Sequence, residues 1–121
     1  MLPAYSYLPK VIAHRGSSGQ APENTLASLH LAGQQGIKWV EIDVMLSADG
    51  IPVIFHDDYL ARTSNGEGLI HKTSLQDLKK LDAGSWKDKE YAEQLNKQQI
   101  AQCRYNLVLF VFLHLLGFPR K

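Results

Sequence analysis

Three short stretches place side chains that can do chemistry at the ends of apolar runs. Glu41 and Asp43 stand two apart in Val40-Glu41-Ile42-Asp43-Val44, so on a strand both carboxylates fall on the face opposite Val40, Ile42 and Val44. Two carboxylates so close repel each other unless a cation sits between them, and oxygen-only ligands select a hard divalent ion, Mg²⁺ or Ca²⁺, over zinc. Taken alone, a Glu-x-Asp pair is more often a solvated strand face.

His14-Arg15 lies where the apolar stretch from Lys10 to Ala13 runs out into the Gly- and Ser-containing segment Gly16 to Pro22. In an α/β fold that is the carboxyl end of a sheet, where sites collect. Arginine offers a forked donor for two phosphate oxygens, and histidine moves protons near neutral pH. His56 repeats the arrangement after Val53-Ile54-Phe55, although Asp57 or Asp58 could simply satisfy it as a loop histidine. A metal site, a phosphate clamp and two proton-transfer groups at three strand ends together suit phosphoryl transfer, and that coincidence favours function over three separate accidents. His30, His71 and His114 join no such group, and Trp86 reads as a packing residue.

The elements that must hold these groups follow from periodicity. Asn24 is expected to cap a helix from Thr25 to about Gln35, with Leu26, Leu29 and Gly33 on one face, Leu31 widening the stripe, and Gly36 as the stop. Trp39 to Leu46 alternates as one strand, Ala48-Asp49-Gly50 is a tight turn, and Ile51 to Phe55 is a further strand. Tyr59 to His71 is expected to be loop with a short strand at Leu69-Ile70. Thr73 or Ser74 then caps a helix through Leu81, with Leu75, Leu78 and Leu81 facing inward. This order suggests the opening of a parallel α/β fold.

Composition bounds the function classes. The chain has 121 residues, 45% hydrophobic and 21% charged, with a formal net charge of +1, as in a soluble globular protein with one modest core. The basic residues are scattered, so no broad field draws nucleic acid, and a nucleic-acid partner is not expected. Cys103 is the one cysteine, which excludes an intrachain disulfide and a Cys-based zinc site and fits a reducing, cytoplasmic setting. Met1 to Lys10 has no apolar run of the secretory kind. Leu107 to Phe118 is too short to cross a bilayer, which takes ~20 residues, so no transmembrane segment is expected.

With these residues in view, the spacing of His14-Arg15, Glu41-x-Asp43 and His56 resembles the signature of glycerophosphodiester phosphodiesterases. Pro22-Glu23-Asn24-Thr25, His56-Asp57-x-x-Leu60-x-Arg62-Thr63, Gly66-x-Gly68, Leu75-x-Asp77-Leu78 and Leu81-Asp82-Ala83-Gly84-Ser85-Trp86 are similar to the same family, from about Val11 to Tyr91. The resemblance implies an α/β fold, the N-terminal part of a (β/α)₈ barrel of the phospholipase C-like phosphodiesterase superfamily, with an insertion at about 60–84. It implies hydrolysis of a small glycerophosphodiester to glycerol 3-phosphate and an alcohol, with bound Ca²⁺ or Mg²⁺. In that family's terms Glu41 and Asp43 are metal ligands and Arg15 holds phosphate. Glu23 and Asn24 line the substrate, and His14 and His56 are the acid-base pair.

Such a barrel takes ~250 residues, so the expected domain is incomplete: a family-like part over 1–94 and a divergent apolar tail over 95–121. The family places a third metal-binding carboxylate in a later Glu-x-Lys motif, and no Asp or Glu follows Glu93 here. Two alternatives therefore stand beside the hydrolase: a non-catalytic fragment of the family, and a related phosphodiesterase cleaving lysophospholipids or sphingomyelin. Exposed half-barrel edges would also allow self-association.

Overall fold

The structure, a computed structural model, describes residues 10–92 and the backbone of 110–111. Strand β1 (Ala13–His14) leads into helix α1 (Leu26–Gln34), which returns to strand β2 (Val40–Ile42). β1 and β2 are parallel, with Ala13 opposite Val40 and His14 opposite Glu41. β5 (Phe110–Val111) pairs in parallel on the other side of β2, giving the order β1-β2-β5. Ala13, Ala32 and Val40 form the buried core under α1, flanked by Leu29 and Ile37. Small residues at Ala13 and Ala32 let the helix lie close to the sheet, which holds the carboxyl ends of β1 and β2 side by side.

Helix α1 is capped by Thr25, not by Asn24 as expected. Thr25 has extended backbone, its hydroxyl accepts from the Ser28 amide, and the Ser28 hydroxyl accepts from the Thr25 amide in return. Asn24 adopts φ +57 and turns its side chain elsewhere. The buried face is also not the expected one: Ser28 and Ala32 are buried, Leu29 packs partly against the core, and Gly33 is exposed. Gly36 is left-handed at φ +79 just past the helix, as a stop should be.

The single strand expected over Trp39–Leu46 is instead two, β2 and β3 (Val44–Leu46), in different sheets. The physical reason lies at Asp43. Its amide donates to the Asn24 side-chain oxygen at 3.2 Å, and its carbonyl accepts from Phe55 at 3.0 Å, so its polar groups leave the parallel ladder. The inward phase shifts there too, from Val40 and Ile42 to Met45, while Leu46 faces out.

β3 pairs antiparallel with β4 (Pro52–Ile54) through the expected tight turn, where Gly50 is left-handed at φ +75. Met45, Val53, Phe55, Leu60, Ile70 and Leu78 make a second core. The expected short strand at Leu69-Ile70 is an isolated bridge from Tyr59 to Leu69 followed by a 3-10 turn at Ile70–Lys72. Helix α2 (Leu75–Leu78) is capped by Ser74 but ends earlier than the expected Leu81. Leu75 and Leu81 still pack on the second core beside buried Leu78. Trp86 is a surface residue rather than a packed one, with its indole N–H donating to the Ala83 carbonyl at 2.8 Å. The expected tail at 95–121, with Cys103 and His114, lies outside the described residues apart from the 110–111 pairing. Among the described residues no helix is long and apolar enough to cross a membrane.

Candidate active site

The site begins with two residues held in an unusual backbone state. Arg15 and Asn24 are non-glycine residues with φ +60 and +57, a conformation that costs of order ~1 kcal/mol and persists only where neighbours over-determine it. They do so here. The Arg15 amide donates to the Glu41 carbonyl at 2.8 Å, and its own carbonyl accepts from the Asn24 amide and the Ser28 hydroxyl, each at 3.0 Å. Gly16 follows at φ +78, and a Cβ there would run into Ser28. The chain leaving β1 is thereby folded tightly over the start of α1, which points the Arg15 side chain across the ends of the strands.

Arg15 is largely buried and reaches two carboxylates. Its Nη1 donates to Glu23 Oε1 at 3.1 Å, and its Nε lies 3.0 Å from Asp43 Oδ2, within ion-pair range but without hydrogen-bond alignment. Among the described residues Nη2 makes no hydrogen bond. Asn24 grips Asp43 twice, donating from Nδ2 to Oδ2 at 3.0 Å and accepting the Asp43 amide on Oδ1. Asn24 thus orients a carboxylate; among the described residues it has no other side-chain partner.

Glu41 is half-buried, and its Oε2 is buried without a hydrogen-bond partner. Its neighbour is the exposed His14, whose Nε2 lies 3.6 Å away. A buried carboxylate oxygen without a hydrogen bond is costly, and a cation beside it relieves the cost, whether a charged His14, whose Nε2 faces this same oxygen, or a bound metal ion. Asp43 keeps Oδ1 clear of hydrogen bonds among the described residues, since both of its partners take Oδ2. Two carboxylates on one strand end, each with an oxygen uncommitted, therefore fit a hard divalent ion. They are a pair only: among the described residues no group of three His, Cys, Asp or Glu side chains gathers into a metal site.

His56, half-buried, sits at the end of β4 with Nδ1 2.6 Å from Asp57 Oδ1. Arg62 bonds both Asp57 oxygens, and this holds the Asp57 carboxyl well below the usual carboxylate range, with the His56 contact adding to it against the effect of burial. An ionised carboxylate can only accept, so the proton of the shared bond sits on Nδ1. The same Arg62 also bonds Glu23.

The structure therefore brings Arg15, Glu23, Asn24 and Asp43 into direct contact, pairs His14 with Glu41, and links His56 to the group through Asp57 and Arg62. No direct contact joins His14 to His56 among the described residues. Asp57 was expected as a neighbour that could satisfy His56, and it does so here, whereas Arg62 was visible only as a motif residue without a role. The signal that joins the two is opposite charge five apart at the end of a strand.

Two carboxylates, an arginine fork and two histidines thus lie at the strand ends of what is part of a (β/α)₈ barrel. Comparison with known proteins shows the family: the glycerophosphoryl diester phosphodiesterase family profile matches residues 14–117, and the chain belongs to that family. A phosphodiesterase of Oleispira antarctica, solved with its product sn-glycerol-3-phosphate, is 82% identical with a TM-score of 0.72, covering 74% of this chain and 36% of that one. The glycerophosphodiester phosphodiesterase structure from Agrobacterium tumefaciens is 39% identical with a TM-score of 0.69, covering 77% of this chain and 38% of that one. A glycerophosphodiester phosphodiesterase of Bacillus subtilis is 40% identical over 89 residues, which are 74% of this chain and 30% of that protein. The chain spans less than half the length of the curated relatives it matches.

Proposed function

We propose that this chain carries the metal- and phosphate-handling part of a glycerophosphodiester phosphodiesterase. The reaction is hydrolysis of a glycerophosphodiester to glycerol 3-phosphate and an alcohol, a step of cytoplasmic lipid and glycerol metabolism. The observation that carries this reading is the left-handed, pinned Arg15, whose guanidinium is set between Glu23 and Asp43. Strain of this kind is retained where a ligand makes use of it.

Glu41 and Asp43 would hold Ca²⁺ or Mg²⁺, which when bound supplies charge neutralisation for a phosphoryl oxygen. The Nη2 arm of Arg15 binds a second phosphoryl oxygen, and Glu23 and Asn24 keep Arg15 and Asp43 in place around it. His56, with the lone pair of its neutral ring on Nε2, takes a proton from the attacking water as the new P–O bond forms. His14, exposed beside Glu41, gives a proton to the alcohol oxygen as the old P–O bond breaks. Edge pairing between copies remains an expectation: β1 has β2 on one side and, among the described residues, no strand on the other.

The test is release of glycerol 3-phosphate from glycerophosphocholine by the purified chain, with Ca²⁺, with Mg²⁺ and with chelator. Lysophosphatidylcholine and sphingomyelin are run in parallel. Metal-dependent release from glycerophosphocholine alone supports the reading, and preference for either lipid would transfer it to the related phosphodiesterases. A folded chain that releases nothing under any condition would leave the non-catalytic alternative.

A further inference from the structure

We propose that Arg62 is a positioning residue: by clamping Asp57 on one edge and Glu23 on the other, its guanidinium fixes the Nδ1-protonated tautomer of His56 and ties it to the pose of Arg15. Nε and Nη2 of Arg62 donate to Asp57 Oδ2 and Oδ1 at 2.7 and 2.8 Å. Nη2 and Nη1 donate to Glu23 Oε1 and Oε2 at 2.8 and 3.2 Å. Two forked contacts leave neither carboxylate free to rotate. Asp57 Oδ1 is thereby held 2.6 Å from His56 Nδ1, and Glu23 Oε1 is held where Arg15 Nη1 meets it at 3.1 Å.

The result is a run of alternating charge, Arg15–Glu23–Arg62–Asp57, that ends on the imidazole. It links the end of β1 to the end of β4 through a residue that belongs to neither strand. Asp57 needs this support because it lies beside His56 in sequence and among the described residues has no bond except those to His56 and Arg62. Lysine cannot replace the clamp, since a single ammonium nitrogen does not present donor pairs along two edges of a rigid plane. Arg62 is about half exposed, and ion pairs of that kind contribute little to stability, so its effect should fall on the site rather than on the fold.

The catalytic consequence rests on the reading of His56 as the proton acceptor, but the tautomer itself can be read without turnover. The experiment is long-range ¹H–¹⁵N correlation spectroscopy of the full chain labelled at histidine nitrogens, above the pH at which His56 loses its charge. His56→Gln assigns the signal. The wild type is expected to show His56 as the Nδ1-protonated form alone, and Arg62→Gln and Arg62→Lys are expected to show a mixture of both tautomers. The other four histidines should be unchanged.

A wild-type His56 protonated on Nε2 would overturn the proposal, as would a pure Nδ1 form persisting in both variants. Unfolding of both variants would also overturn it, because it would place Arg62 in the fold. A chain that shows the tautomer shift yet hydrolyses nothing would sink the hydrolase reading and leave this one standing.

Discussion

Replacing Asn24 separates two things the structure says about one residue: that its side chain holds Asp43, and that its backbone is left-handed. Asn24→Gly removes both side-chain bonds and keeps the backbone free to adopt φ +57. A bond to an ionised carboxylate contributes ~1.5–3 kcal/mol and a neutral one about 1 kcal/mol. Asp43 retains Arg15 Nε at 3.0 Å, so its charge is not orphaned and the lower part of that range applies. The expected loss is ~2 kcal/mol.

Asn24→Ala loses the same bonds and adds the left-handed penalty of roughly 1–2 kcal/mol that a Cβ carries, partly offset by alanine's smaller unfolded-state entropy. It should therefore be the less stable of the two. At an ordinary position the order is reversed, with alanine more stable than glycine by roughly 0.4–1 kcal/mol, so the sign alone is diagnostic. Urea unfolding followed by far-UV circular dichroism reads it. With a slope of about 1 kcal/mol per molar, the glycine variant should unfold ~2 M earlier than wild type, and the alanine variant earlier still. An alanine variant more stable than the glycine one would refute the left-handed backbone, and both at wild-type stability would refute the grip on Asp43.

Three further expectations follow from the same contacts. Gly16→Ala combines φ +78 with a collision at Ser28, so it should lower stability by ~2–3 kcal/mol in the same urea experiment, more than an exposed glycine such as Gly19 would. Asp57 has a folded pKa depressed by Arg62, so its contribution to stability is present above the ordinary carboxylate pKa of roughly 3.9 and is lost as pH falls toward the folded value. Asp57→Asn should therefore flatten the acid limb of the stability profile below about pH 4, and an unchanged limb would contradict the pairing. Arg15→Lys keeps the charge but not the fork, and calorimetric titration with glycerol 3-phosphate in the presence of Ca²⁺ should show affinity weakened about 10-fold or more, as loss of one charge-assisted bond predicts.

Much of the site was legible because it is local. His14-Arg15 at a strand end and Ser74 ahead of Leu75-x-x-Leu78 are patterns that neighbouring residues alone produce, and the structure has both where the pattern places them, whereas Asp43 lies past the end of the strand that carries Glu41. What was not legible depends on contacts distant in sequence. The alternation through Trp39–Leu46 reads as one strand because nothing nearby reveals that Asn24 will take the Asp43 amide and break the ladder. The same contact draws Asn24 out of the capping position that its residue type suggests and leaves that task to Thr25. The antiparallel course of β4, by contrast, follows from the local turn at Ala48-Asp49-Gly50. Arg62 carried no periodic signal at all, since its two partners lie five and 39 residues away on different segments.

The most direct test of the site as a unit compares turnover of glycerophosphocholine by the wild-type chain, His14→Ala and His56→Ala, each saturated with the better of Ca²⁺ or Mg²⁺ and each shown to be folded. Loss of general acid-base help should lower turnover by about 10²–10⁴-fold in each variant. Wild-type turnover in either one would contradict the assignment of the two histidines, and with it the reading of these strand ends as one catalytic site.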